Sequence, residues 1–480
     1  MTIRILLCLV FGSVTFMLST ALVSAQSPVP DALSGCVLPE DINLPPNPLT
    51  DWATSLDVAL VSAQSPATDA LSGSVLPEDM NLPPNPLTDW ATSLDAALVS
   101  AQIPASEAHI GPVLPEDINL PPNPLTNWMA RHRLRFFGWA NWGYTGSSTG
   151  GGLLQVEPRA NRFGRSGLLN QAAFVLERTL APQEWSWGFR AEFYMGADAA
   201  LLRPVTYGFG PHTPKFGTDF RQGYLSIHAP VLTEGGIDFK LGRQYVPLGY
   251  ESTMAPYRPM YSEAYVWLYA QNGATTGAIA TLHVNPKLDL IGGVTLGVNS
   301  LYGLVGREPC YILRGLYWLG PDERTKLVGT LYTGPEPIKP AEGHLGLWQT
   351  LVELQLVHEV NPRLTLVSET NIGWDAQDPG NNYHTSQWYG TYGMGIFHAT
   401  RFLDVNFRAE WFDDVDGSRI GKRANYGEIT LGLNIMPAFF INFRPEVRWD
   451  GASTPVFGPQ GTSSPHRDQW TYAFEALLKF

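Results

Sequence analysis

The chain has 480 residues, a net charge of −13 and 16% charged residues, and its acidity is concentrated in one segment. Residues 26–130 hold thirteen Asp or Glu and no Lys or Arg, whereas residues 131–480 hold 31 acids against 30 Lys and Arg. No basic stripe is available for phosphate contacts, which excludes a nucleic-acid partner, and three cysteines in segments of different kinds exclude a disulfide framework.

Residues 1–25 read as a secretory signal: Arg4 near the start, an apolar run from Ile5 to Leu18, then Val23-Ser24-Ala25, with cleavage expected after Ala25. A competing reading takes Leu33-Ser34-Gly35-Cys36 as a lipid-attachment pattern at Cys36, although that pattern normally follows the apolar run directly and here residues 25–32 intervene. No later run of about 18 apolar residues exists, so no transmembrane helix is predicted.

Residues 26–130 form an arm built from three copies of a 38-residue unit. The copies carry Val37-Leu-Pro-Glu-Asp41, Val75-Leu-Pro-Glu-Asp79 and Val113-Leu-Pro-Glu-Asp117, each leading into Asn-Leu-Pro-Pro-Asn-Pro-Leu-Thr, and the same period aligns Trp52, Trp90 and Trp128. A period in this range suits a solenoid. Pro-Pro-Asn-Pro blocks long helices, however, and each unit has few apolar residues to stack. An extended, disordered, periplasmic arm is therefore expected. Its role is a spacer or, alternatively, a ligand-binding arm, with short helical turns at Leu87-Thr88-Asp89-Trp90 and its copies, capped by Thr or Asp.

From residue 131 to 480 the hydrophobic period becomes two. Leu403, Val405, Phe407, Ala409 and Trp411 alternate with Asp404, Asn406, Arg408 and Glu410, and Ile429, Leu431 and Leu433 alternate with Glu428, Thr430 and Gly432. Sixteen strands are predicted: 131–145, 167–179, 186–199, 220–230, 236–246, 273–285, 288–299, 309–319, 325–334, 347–359, 363–376, 386–399, 403–415, 425–436, 440–452 and 468–480. Many have about ten residues or more, the length of a tilted membrane strand. The connections alternate long (146–166, 200–219, 247–272, 453–467) and short (180–185, 286–287, 360–362, 437–439). That is the pattern of an outer-membrane barrel with external loops and periplasmic turns.

The last strand puts Tyr472, Phe474, Ala476, Leu478 and Phe480 on one face and Thr471, Glu475 and Lys479 on the other. A terminal aromatic there is the feature by which bacterial barrels are recognised for assembly, so the barrel-assembly machinery is an expected partner through Phe480. The fold class expected is all-β: a transmembrane antiparallel up-and-down β-barrel of about 16 strands, its apolar face on outer-membrane lipid and its charged face inward. Trp139, Trp142, Trp185, Trp187, Trp388 and Trp411 lie near strand ends and suit interfacial girdles. An even strand count leaves both chain ends in the periplasm.

Two further segments, Arg408-Ala-Glu-Trp-Phe-Asp-Asp-Val-Asp416-Gly417 and Arg444-Pro-Glu-Val-Arg-Trp-Asp450, look like strand ends of the OmpL-like family of β-barrel porins. So do Asn170-Gln171 with Leu176-Glu-Arg178, and Gly242-Arg243 leading to Gly249-Tyr-Glu251. The resemblance covers about 131–480 and implies a porin; the arm lies outside it. Pro445, which donates no ladder bond, matches the family's pattern and is expected at a bulge.

No catalytic, cofactor or metal motif is recognised: the chain lacks His-Glu-x-x-His and paired cysteine ligands. Asp414-Val-Asp416-Gly417 lacks the downstream acid of a calcium loop, so no enzyme activity, cofactor or metal is expected. The reading is a porin passing small hydrophilic solutes by diffusion through a water-filled lumen. The constriction is expected at loop 247–272, through Glu251, Tyr257, Arg258, Tyr261 and Glu263. Pore-lining candidates are Arg190, Glu192, Arg408, Glu410, Arg444, Glu446 and Arg448, a mixed-sign wall predicting weak ion selectivity. A homotrimer is a candidate assembly. The alternative is a structural or adhesive barrel with a blocked lumen and a periplasmic tether.

Overall fold

The computed structural model describes residues 113–118, 121–156, 162–201, 212–271, 273–304, 306, 308–336 and 347–480. The expected signal, Cys36 and the first two repeats lie outside these residues. Sixteen strands form the barrel: β1 (Leu134–Ser147), β2 (Ser166–Arg178), β3 (Ser186–Gly196), β4 (Phe216–Ala229), β5 (Ile237–Tyr245), β6 (Ala274–Asn285), β7 (Leu288–Val298), β8 (Cys310–Leu319), β9 (Thr325–Glu336), β10 (Leu347–Asn361), β11 (Leu364–Asp378), β12 (His384–Thr400), β13 (Leu403–Asp414), β14 (Ala424–Ala438), β15 (Ile441–Ala452) and β16 (Asp468–Lys479).

Each strand pairs antiparallel with its neighbour in sequence, and β16 closes on β1 from Ser147 opposite Thr471 to Trp139 opposite Lys479. Gly138 and Phe480 exchange a further pair of backbone hydrogen bonds, so the ladder runs to the last residue. Closure leaves no sheet edge, which a bilayer demands because lipid cannot satisfy free N–H and C=O groups.

The period-two pattern sorts side chains as the sequence predicts. On β16, Gln469, Thr471, Glu475, Leu477 and Lys479 are buried inward, while Trp470, Tyr472, Phe474 and Leu478 face out and are exposed. Leu225, Leu241, Leu313 and Leu354 are each at least 60% exposed, the mark of a surface that meets lipid rather than water. Long connections gather at one end (residues 148–165, 197–215, 246–273 and 453–467), and turns of two residues at 286–287, 362–363, 401–402 and 439–440 gather at the other.

Several expectations need correction. The first strand begins at Leu134 rather than 131, because Pro124–Arg131 is a helix, α1. Asn123 is its cap, accepting from the N–H groups of Leu125 and Thr126, while the Thr126 hydroxyl accepts from the Asn123 N–H. The third repeat thus has a helical turn at Leu125-Thr-Asn-Trp128, and the cap is Asn rather than Thr or Asp. The third strand ends at Gly196, giving way to the short helix α2 (Ala197–Leu201), and the fourth starts earlier, at Phe216.

Trp139 and Trp388 are completely buried inside the barrel, not in a girdle; Trp142, Trp185 and Trp187 do face out. Strand position gives a tryptophan's height, but its parity decides the face. Pro445 makes no bulge: it stands opposite Phe474 in an unbroken register with β16. Towards β14 the pairing lapses after Glu446 opposite Gly432 and resumes in the same register at Phe443 opposite Ile435. The missing N–H therefore costs a local ladder interruption and no extra residue.

Candidate functional site

The charged inner face meets a long loop. Residues 246–273, between β5 and β6, turn into the barrel and reach the strands on the far side. Gly249, at φ +77°, begins the crossing in a conformation that favours glycine. The loop contains a 3-10 turn at Ala255–Tyr257 and a π-helical turn at Val266–Ala270.

A non-repetitive segment in an interior carries many backbone groups without ladder partners, and each must be satisfied. Here the wall supplies them by sign. Carboxylates take the loop's N–H groups: Glu353 on β10 accepts from Gly249 at 2.7 Å and Glu369 on β11 from Tyr250 at 2.7 Å. Glu410 on β13 accepts from Tyr265 and Val266, and Glu446 on β15 from Tyr261 at 3.0 Å and Ser262 at 3.1 Å.

Cationic and amide side chains take the loop's carbonyls. Arg408 donates to Ser262 O at 3.0 Å, Arg448 to Glu263 O at 2.7 Å, and Arg444 to the carbonyls of Ala255 and Arg258. Gln171 on β2 donates to Thr253 O at 2.8 Å, Asn406 on β13 to Pro259 O at 2.7 Å, and Arg419 to Tyr269 O at 2.6 Å.

Ion pairs lie beneath the loop. Glu428 on β14 is shared by Arg408 at 2.5 Å and Arg448 at 3.3 Å, and Arg448 also pairs with Asp450 at 2.7 Å. Glu475 on β16 takes Arg444 at 2.5 Å, with Arg258 of the loop 3.7 Å away. Within the loop, Arg258 pairs with Glu263 at 3.0 Å, and Glu251 reaches both Arg408 and the Ala264 N–H. Low dielectric makes such pairs costly to break and costly to bury, so they persist only as a complete set.

The candidates named from the sequence therefore fall into groups. Arg408, Glu410, Arg444, Glu446 and Arg448 lie together under the loop and are buried, with Arg408 fully inaccessible. Glu251, Tyr261, Arg258 and Glu263 are buried against them. Tyr261 fits where β1 lacks a side chain, for a Cβ on Gly143 would come within 1.9 Å of its hydroxyl. Tyr257 points instead towards the short-turn end and donates to Glu116. Arg190 and Glu192 form a second group on β3, paired at 2.9 Å, with Glu177, Gln222 and Tyr245 beside them and Arg190 also reaching the sulfur of Met254 in the loop at 3.7 Å.

Sequence reasoning missed Glu353, Glu369, Glu428, Asp450 and Glu475, and the buried group on β4 and β5 in which Asp219 lies 3.3 Å from Arg221 and 3.5 Å from Arg243. The available signal was parity alone: each is a charged residue on the inward face of a strand. Apolar packing fills the space towards the long loops, where Tyr265 and Trp267 meet Val156, Trp388, Phe412, Tyr426, Val456 and Phe457.

The family model described as putative beta-barrel porin-2, OmpL-like, matches residues 134–480. No curated protein matches the sequence. Among solved structures, the anion-selective porin from Comamonas acidovorans is similar at 11% identity and a TM-score of 0.50, over 72% of this chain and 99% of that one. The outer membrane channel DcaP of Acinetobacter baumannii gives 9% identity and 0.47, over 72% and 97%. Salmonella typhi OmpF in complex with daunomycin gives 12% and 0.48, over 72% and 97%. At these identities the likeness is one of fold.

Proposed function

The chain belongs to the OmpL-like family of putative β-barrel porins and is an outer-membrane porin, and on that footing we propose that loop 247–272 sets its conducting cross-section. Small hydrophilic solutes diffuse passively between the loop and the wall it leaves uncovered. The observation that carries this reading is the loop's attachment: its backbone N–H groups sit on Glu353, Glu369, Glu410 and Glu446, four strands lying across the barrel from the loop's own roots.

On this reading Arg408, Glu410, Arg444, Glu446 and Arg448 hold the constriction in place, and Arg190, which reaches Met254 of the loop, stands with Glu192 on the wall beside that clamp. The inner wall carries charges of both signs, which supports weak ion selectivity. The long loops face outward and the short turns, with the chain's arm, face the periplasm. The chemistry is that of a passage; no group of this site is assigned a catalytic role.

The test is single-channel conductance of the full-length protein in a planar bilayer, beside a variant in which residues 250–270 are replaced by a short glycine-serine link. Steps that grow in the variant support the loop as constriction. Folded, inserted barrels that stay silent in both forms would instead favour a structural barrel with a blocked lumen.

A further inference from the structure

The third repeat contributes one segment that no porin mechanism needs. Val113–Asp117 returns to the short-turn end of the barrel and seats there as a single 3-10 turn, Pro115–Asp117, closed by Asp117 N–H to Leu114 O at 3.1 Å and Ile118 N–H to Pro115 O at 3.2 Å. Two barrel groups hold it. The Tyr257 hydroxyl donates to the Glu116 carboxylate, and Lys479 Nζ donates to Val113 O at 2.6 Å. Pro115 is buried, and Trp139, itself fully buried, meets the Tyr257 ring edge-on at 6.5 Å.

The held residues are those that repeat. Val-Leu-Pro-Glu-Asp stands unchanged at 37–41, 75–79 and 113–117, followed by Ile42, Met80 and Ile118. The proline that is buried and the glutamate that is bonded are present in every copy. Nothing in the seat reads a feature peculiar to the third.

We infer that the short-turn end of the barrel interior is a binding site for this acidic, proline-containing motif, with Val113–Asp117 as resident and the copies at 37–41 and 75–79 as alternative occupants. Tyr257 belongs to the constriction loop, so the occupant is coupled to the loop as well as to the wall. Burial and the adjoining Glu116 carboxylate raise the Tyr257 hydroxyl above its ordinary range, which keeps it a donor. The nearer copy stands 38 residues before the resident, a chain length of up to about 125 Å when extended, so the connection is long enough to bring it to the seat. Occupancy of the seat then bears on the loop through Tyr257, and only its consequence for flow rests on the porin reading.

The experiment uses the full-length chain with Cys36→Ser and a short flexible bis-thiol cross-linker, read by mass spectrometry. Met254→Cys, whose carbonyl accepts from the Tyr257 N–H at 3.1 Å, with Asp117→Cys leaves Tyr257, Glu116 and Lys479 in place and is expected to cross-link. Met254→Cys with Asp79→Cys is expected to cross-link weakly, rising about tenfold when Leu114, Pro115 and Glu116 are all changed to Ser, since loss of a charge-assisted bond and its packing is worth at least that factor. Cross-linking of Asp117 without any gain at Asp79 overturns interchangeability; none at either position overturns the site.

A synthetic Val-Leu-Pro-Glu-Asp-Met-Asn-Leu peptide, added on the short-turn side of bilayers holding the Leu114, Pro115, Glu116 triple variant, is expected to restore interruptions of current that a scrambled peptide does not. Cross-links in a barrel that passes no current leave the site standing and remove the porin reading instead.

Discussion

The amide of Tyr261 and the carboxylate of Glu446 lie 185 residues apart in sequence and 3.0 Å apart in space, one on a loop rooted at β5 and the other on β15. That bond and its neighbours fix where the loop stops.

Glu446→Ala removes the acceptor of two buried N–H groups, those of Tyr261 and Ser262. Each orphaned donor costs about 1–3 kcal/mol, which the loop recovers by moving towards water. Single-channel recordings are expected to show larger and noisier steps in Glu446→Ala, and a smaller change in Glu446→Gln, which keeps an acceptor. Identical steps in all three proteins would mean that this contact does not hold the constriction.

Arg408 is bound to Glu428, Glu251 and the Ser262 carbonyl at once. Arg408→Ala takes the arginine from Glu251 and leaves Glu428 with Arg448 at 3.3 Å in a low-dielectric site, a loss of about 3–5 kcal/mol. Heat-modifiable migration in detergent should show a clearly lower unfolding temperature, and Arg408→Lys should recover little of it because an ammonium cannot span the same three partners. Wild-type stability in Arg408→Ala would contradict the assigned pairing.

Gly143→Ala drives a methyl group into the Tyr261 hydroxyl. Overpacking of this kind costs about 1–3 kcal/mol. Combining it with Tyr261→Ala removes the hydroxyl and the ring carbons within 2.8 Å of that methyl, so the double variant should lose less than the sum of the two single losses. Fully additive losses would place the clash elsewhere.

Deleting Phe480 removes two backbone hydrogen bonds to Gly138 and a ring that lies against Gly138 and 5.9 Å from the centre of Phe174. Both the closing seam and the terminal aromatic proposed as the mark for assembly are lost. Outer-membrane fractions should contain several-fold less barrel, whereas refolding in detergent should be only modestly slower. Equal loss in both would assign Phe480 to stability alone.

Strand count and order were legible because lipid outside and polar contacts inside write a period of two along every strand, as in the run from Leu403 to Glu410. Loop 247–272 was legible as the longest connection, and Arg408, Arg444 and Arg448 as inward charge. Less visible was the difference between Trp142 and Trp139, which share a strand and differ in parity, and the true start of β1, hidden behind the Asn123 cap.

By itself the sequence determined the barrel: alternation fixes which face of each strand meets lipid, and connection lengths fix which end is which, both local properties of a chain that must satisfy every backbone group within its sheet. Only the tertiary structure decided that Glu410 and Glu446 serve loop amides while Glu428 and Glu475 hold the arginines. An inward glutamate reads the same in either role. Its partner is set by where a loop from the opposite wall comes to rest, and that distance is closed by the fold rather than by spacing along the chain.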